Sequence, residues 1–136
     1  MTLALTAQAF APSGAVTYQP GDRDRRPWGT WEVLATGPGY TVKRITVTPG
    51  QRLSLQYHNH RAEHWTIVSG SADVEIDGQV LHLAQGEHVH IPLKATHRIR
   101  NAGQDDMVFI EVQYGALLDE NDIVRVTDDY GRCVVA

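Results

Sequence analysis

Between Gly50 and Gly70 the chain places Gln56, His58, His60 and Glu63 within eight residues. In an extended strand alternate residues share a face, so Gln56 and His58 point the same way, and His60 joins them if the strand continues. Glu63 follows a turn and heads the next run. Imidazole nitrogen, amide oxygen and carboxylate oxygen can converge there on one ion. The donors are borderline to hard and include no thiolate, a set that suits Zn, Mn, Fe, Co or Ni. A second group lies downstream, where Gly86 is separated by five residues from Pro92, His97 stands five after the proline, and Asn101 four after His97. A strand that ends at Pro92 and turns back brings His97 beside the first pair.

The elements that must position these residues read as many short strands between turn signals. Tyr40–Val47 is β-rich and stops at Pro49-Gly50. Leu53–His58 is a further short run, and Trp65–Val68 ends at Ser69-Gly70. Ala72–Ile76 alternates apolar and polar and ends at Asp77-Gly78, a strong hairpin signal, with Gln79–Leu83 returning. His88–Ile91 runs into Pro92, and Met107–Val112 is the last long strand. No segment before residue 116 sustains a helical period over three turns, and the strand spacing predicts a sandwich or barrel. The mixed, acidic stretch 119–130 is expected to form a short helix plus a tail packed across the barrel. Residues 1–25 read as an N-terminal arm, and 26–136 as one domain.

At this point the two segments resemble the paired motifs of the cupin superfamily. Taking His58 and His60 as the His-x-His pair leaves Gly50 two residues too far and Glu63 too close. Taking Gln56 and His58 fits every gap: five residues from Gly50, four to Glu63, six more to Gly70. Gln then replaces the first His, and His60 stands at the mouth of the site. The match narrows through Arg26-Pro-Trp-Gly29, Glu32-Val33-Leu34, Pro49 to Gln56, His60-Arg-Ala-Glu-His-Trp65, Ile110-Glu-Val-Gln113, Asp122-Ile-Val-Arg125 and Asp129-Tyr-Gly-Arg132. These resemble the C-terminal domain of type II mannose-6-phosphate isomerases over roughly residues 25–132. That domain is often joined to a sugar-nucleotide pyrophosphorylase, but nothing here resembles a Gly-rich nucleotide loop. Lys94 stands where the second motif has Gly, Arg100 where Glu is usual, and Tyr57 and Asn59 flank the ligands where Met and His are common. The charge changes at Lys94 and Arg100 are expected near the rim.

The resemblance implies an all-β fold, a single-domain cupin (double-stranded β-helix or jelly-roll barrel) with an N-terminal arm and a short C-terminal tail. It implies one divalent metal ion, Zn first and Mn, Co, Fe or Ni after it, held by Gln56, His58, Glu63 and His97. It further implies interconversion of mannose 6-phosphate and fructose 6-phosphate. That reaction needs a base to carry a proton between adjacent carbons and stabilisation of an oxyanion. Glu111 is the candidate base, although alternation leaves open whether its face, with Phe109 and Gln113, or the face of Val108, Ile110 and Val112 lines the site. Arg61 and then Lys43 are the candidate phosphate binders. Lys43 points inward if Ile45 and Val47 are core. Two other readings stand beside this one: a non-catalytic sugar-binding cupin module, and a metal-cupin enzyme of another class such as a dioxygenase.

The remaining features are bland by comparison. His82, His88 and His90 read as surface histidines, and His64 faces away from Glu63. Trp28, Trp31 and Trp65 read as core or rim packing. Asp122, Arg125 and Arg132 read as salt-bridged tail residues, and Cys133 as inert. A net charge of −4 gives no basic face for nucleic acid or an anionic membrane. The small-molecule partner expected is a sugar phosphate, and an exposed edge strand in the arm would allow a homodimer. Met1–Ala11 is apolar but no Lys or Arg precedes Arg23, so it lacks the charged start of a secretion signal. With a single cysteine, the reduced cytoplasm is the expected setting.

Overall fold

The computed structural model describes residues 15–132. The Met1–Ala11 stretch and Cys133 lie outside the described residues. In chain order the strands are β1 (Ala15–Val16), β2 (Arg23–Arg26), β3 (Gly29–Gly37), β4 (Tyr40–Val47), β5 (Leu55–Tyr57), β6 (Arg61–Ser69) and β7 (Ala72–Ile76). They continue with β8 (Gln79–Leu83), β9 (His88–Ile91), β10 (His97–Arg100), β11 (Met107–Gly115), β12 (Leu117–Leu118) and β13 (Val124–Thr127). One sheet runs β2-β3-β4-β11-β6-β9 and a second runs β13-β5-β10-β7-β8, while β1 pairs with β12 in parallel. The all-β architecture is as expected. Among the described residues no helix is long and apolar enough to cross a membrane.

The inner face of the six-stranded sheet explains where a polar site can exist. On β4, Thr41, Lys43, Ile45 and Val47 are buried; on β11, Met107, Phe109, Glu111 and Gln113; on β6, Arg61, Glu63, Trp65 and Ile67. Each strand is thus polar at one end and apolar at the other. The antiparallel register stacks like with like. Phe109 lies opposite Ile45 and Ile67, Glu111 opposite Lys43 and Trp65, and Gln113 opposite Thr41 and Glu63. The apolar half meets Val74, Ile91 and Ile99 in the core, and the polar half opens as a cavity. Lys43 therefore points inward with Ile45 and Val47, and the Phe109–Glu111–Gln113 face is the inner one.

Four strands keep their expected bounds: Tyr40–Val47, Ala72–Ile76, Gln79–Leu83 and His88–Ile91. Others differ for identifiable reasons. β5 is only Leu55–Tyr57, so His58 and His60 leave the strand, and His60 is exposed. β6 begins at Arg61, before Trp65, because β11 runs on to Gly115 and pairs with it. A Cβ at Gly115 would lie 2.2 Å from the His60 carbonyl oxygen, so only glycine allows that approach. β3 and β10 carry no strand in the sequence reading. The helix expected within 119–130 is corrected: this stretch holds β13, whose Val-Arg-Val-Thr run suits a strand and pairs with the edge of β5.

Lys94 sits at φ 66°, in the left-handed region. The motif's glycine serves that geometry, and a lysine there carries Cβ strain. Lys94→Gly is expected to raise unfolding stability by about 0.5–1 kcal/mol. Urea denaturation midpoints of the two proteins check it, and an unchanged or lower midpoint would contradict it.

Candidate functional site

The polar half of the barrel encloses about 60 Å³, several times the space one water needs. Glu63 is at its centre and is 1% exposed. Its Oε2 accepts from Arg61 Nε at 2.8 Å, and its Oε1 from Trp65 Nε1 at 3.0 Å. Burial opposes its ionisation, but positive charge beside it, the Arg61 guanidinium included, outweighs that and holds the carboxyl well below its ordinary range.

Two imidazoles face the same carboxylate. His58 Nδ1 lies 2.6 Å from the Asp122 carbonyl oxygen, which can only accept, so Nδ1 carries the hydrogen. Arg61 Nη2, only a donor, lies 3.3 Å from His58 Nε2, so Nε2 presents its lone pair. That nitrogen is 3.1 Å from Glu63 Oε2. His97 repeats the arrangement. Its Nδ1 donates to the Ala95 carbonyl at 2.9 Å, and its Nε2 is 3.8 Å from Glu63 Oε1. Burial pushes His97 down to about 4, so the ring stays neutral, the form that binds a metal. Gln56 stands directly across from His97 in the strand register. Its Nε2 donates to Ser54 Oγ at 3.1 Å, leaving the amide oxygen as acceptor. Ligand atoms of His58, Glu63 and His97 lie within 4.8 Å of one another. Imidazole lone pairs and carboxylate oxygens facing each other in a buried space are mutually repulsive acceptors that a divalent cation relieves, with backbone carbonyls fixing the rings from behind. The residues present fit a metal ion.

The cationic residues are tied in closely. Besides Glu63, Arg61 reaches the Asp119 carbonyl through Nη1 at 3.2 Å. Lys43 Nζ bonds Tyr18 Oη at 3.0 Å and Glu120 Oε1 at 3.1 Å, and lies 4.1 and 4.3 Å from the ring centroids of Tyr18 and Trp31. Burial would raise Glu120, but Lys43 and the Tyr18 hydroxyl lower it. Glu111 accepts from Trp65 Nε1 at 3.1 Å and from Gln113 Nε2 at 2.8 Å. Burial first, then the neighbouring Glu63 charge, push Glu111 up to about 8, so at neutral pH it is an acid holding its proton.

Several site residues escape sequence reasoning. Tyr18 and Glu120 form the far wall, with no motif to mark them. Asp122, expected as a salt-bridged tail residue, is buried, and its carboxylate accepts the backbone N–H groups of Asn59 and His60 at 3.0 Å each. The signal was its place in the Asp122-Ile-Val-Arg125 run. Trp28, Trp31 and Trp65 are buried as expected, but Trp65 also bridges the two carboxylates. Arg132 pairs with Asp128 and also lines the cavity. Lys94 and Arg100, expected near the rim, do not line it. His64, His88 and His90 lie on the outer face, His64 Nε2 3.1 Å from His88 Nδ1 and His90 Nε2 2.7 Å from Tyr114 Oη, and exposed His82 contacts Asp73.

The family model described as "Mannose-6-phosphate isomerase C-terminal" matches residues 16–128. The chain belongs to this family. Over 107 residues it is 50% identical to the mannose-1-phosphate guanylyltransferase of Escherichia coli (strain K12), covering 79% of this chain and 22% of that protein. It is 51% identical over 107 residues to the xanthan biosynthesis protein XanB of Xanthomonas campestris pv. campestris (strain B100), covering 79% and 23%. The chain thus spans under a quarter of the length of these curated relatives. A cupin of RmlC type from Shewanella frigidimarina superposes with TM-score 0.63 at 16% identity, covering 74% of this chain and 90% of that one, which places the fold among cupins. The expectation of a mannose-6-phosphate isomerase is corrected by these relatives. The Escherichia coli relative is an enzyme of a different name and reaction, a guanylyltransferase for mannose 1-phosphate. Motif spacing on a shared barrel specifies donor atoms, and many chemistries use the same donors.

The titrations set a pH dependence for chelator-treated protein. The protonated Glu111 contributes stability that is complete below its unfolded value of 4.5 and is lost as pH rises through about 8. Neutral His97 contributes stability present above 6.5 and lost as pH falls through about 4. Between pH 6.5 and 8 only the first changes. Urea unfolding is expected to show stability falling there more steeply in the wild type than in Glu111→Gln, by a slope approaching one proton. Equal slopes in both proteins would contradict the assignment.

Proposed function

We propose that the chain is a metal-holding cupin module that binds a phosphorylated mannose in the formation of a sugar nucleotide. The 50% identity over 107 residues to a mannose-1-phosphate guanylyltransferase carries this reading. The cavity supports it. Arg26, Lys43, Arg61, Arg98, Arg125 and Arg132 line it against Glu63, Glu111 and Glu120; Asp24 and Asp128 pair with Arg26 and Arg132 from outside and Glu111 keeps its proton, which still leaves more cations than carboxylates. That excess suits an anionic ligand. Gln56, His58, Glu63 and His97 would hold the ion, Zn first and Mn, Co, Fe or Ni after it. A divalent ion there supplies Lewis acidity and positive charge. Arg61 and Lys43 face the phosphate. For Arg61 this means exchanging the Asp119 carbonyl for a phosphate oxygen; for Lys43, relaxing its bond to Glu120. Glu111 presents a carboxylic acid that can donate to a ligand oxygen.

Metal analysis of the purified protein is expected to find about one divalent ion per chain, with occupancy falling at least about tenfold in His97→Ala. Calorimetry is expected to show mannose 1-phosphate binding at least about tenfold more tightly than mannose. Folded protein that takes up no divalent ion, or that does not distinguish the phosphate from the free sugar, would sink the proposal. Asp122→Ala, which frees the turn behind His58, is expected to lower metal affinity by about 10–100-fold with the circular dichroism spectrum retained.

A further inference from the structure

The inner face of the six-stranded sheet carries three buried polar atoms that the metal and phosphate contacts leave unused, and two of them, on Trp31 and Gln113, belong to residues that line the cavity, while the third, Thr41 Oγ1, does not. Trp31 Nε1 and Gln113 Oε1 have no hydrogen-bond partner. Trp31 is 9% exposed and Gln113 0%, and both line the cavity. Buried polar atoms are rarely left unpaired, and each such atom costs stability. Both side chains are also held in place. The Trp31 ring packs edge-on to Tyr18, with centroids 6.0 Å apart at 77°, and carries Lys43 Nζ over its face. Gln113 donates its Nε2 to Glu111 Oε1 at 2.8 Å, which fixes the amide and leaves the oxygen with spare capacity.

We infer that Trp31 Nε1 and Gln113 Oε1 form a hydroxyl-recognition wall for the sugar ring of the ligand. The pair is one donor and one acceptor, without charge. A phosphate oxygen could accept from Trp31 but would be repelled by the Gln113 oxygen. A metal ion could take the Gln113 oxygen but has nothing to offer an indole N–H. A hydroxyl both donates and accepts, so a ring bearing several hydroxyls satisfies both atoms. The ligand is then oriented with its anionic group toward the cations and its hydroxyls toward β3 and β11. A site built this way discriminates strongly against analogues that lack the bonded hydroxyl.

This inference rests on the phosphosugar reading, and the experiment separates the two. Calorimetry compares wild type with Trp31→Phe, which keeps an aromatic ring beside Lys43 and removes the N–H together with part of the indole, a packing change that the inorganic phosphate arm reads separately. The probes are mannose 1-phosphate, its monodeoxy analogues, free mannose and inorganic phosphate. The expected result is a loss of about tenfold for mannose 1-phosphate in the variant, no change for inorganic phosphate, and no further loss for one deoxy analogue. Should Trp31→Phe fail to fold, Gln113→Met removes the acceptor instead, and because it also removes the bond to Glu111, only a loss that vanishes for one deoxy analogue and is absent for inorganic phosphate supports the wall. Unchanged affinity for mannose 1-phosphate in the variant overturns the wall, showing that water serves these atoms, and leaves the phosphosugar reading intact. Equal losses for sugar phosphate and inorganic phosphate also overturn it, since the effect then runs through Lys43. Binding of free mannose that is sensitive to Trp31→Phe, without preference for the phosphate, keeps the wall and ends the phosphosugar reading. No binding of any sugar by wild type overturns both.

Discussion

A carboxylate that is 1% exposed must be compensated, and the architecture of the polar half of this barrel follows from compensating Glu63. Arg61 and Trp65, each two residues away on the same strand, donate to its two oxygens. His58 arrives from the loop after β5, and His97 from β10 of the opposite sheet. Both rings turn acceptors toward it because backbone carbonyls claim their other nitrogens. The second carboxyl, Glu111, shares Trp65 with Glu63 and stays protonated because two charges in this space are too costly.

Strand register makes this cluster possible. With a side-chain period of two, a slip of one residue in β6 or β11 would turn Glu63, Glu111 and Gln113 outward and send Val112 and His64 into the barrel. The same register keeps Phe109, Ile45 and Ile67 together in the apolar half. An apolar, buried floor beneath a polar mouth lowers the local dielectric, so every charge contact above it is stronger and every missing one more expensive. The chain after β11 then closes the mouth. The Asp119 carbonyl takes Arg61, Glu120 takes Lys43 and Tyr18, and Asp122 fixes His58 and the turn after it. This segment is a structural component of the site.

The family and the relatives illustrate how far such a site specifies function. The barrel is common to cupins, and the family model bears the name of an isomerase. The Escherichia coli relative, identical at half of the aligned positions, is a guanylyltransferase for mannose 1-phosphate. Around the donors this chain places several cations, a neutral Glu111, and an indole N–H and amide oxygen without hydrogen-bond partners.

Alternation in the sequence marked Gln56 and His58 as sharing a face and left His60 open beside them, the resemblance to the paired cupin motifs named the set Gln56, His58, Glu63 and His97, and the structure brings the ligand atoms of His58, Glu63 and His97 together. The bounds of β4, β7, β8 and β9 were legible in the sequence because each is an alternating run closed by its own turn signal. The inward face of β11 was not, since Phe109–Glu111–Gln113 and Val108–Ile110–Val112 alternate equally well and only pairing with β4 and β6 chooses between them. Nor were Tyr18, Glu120 and Asp122, which meet their partners across 25 to 102 residues of chain. The short strand β13 reads as a mixed acidic stretch until β5 offers it an edge. The sequence by itself determined which atoms could hold an ion and where the chain turns. Only the tertiary structure decided what surrounds those atoms, because burial, pairing and protonation are properties of neighbours that the chain brings from far away.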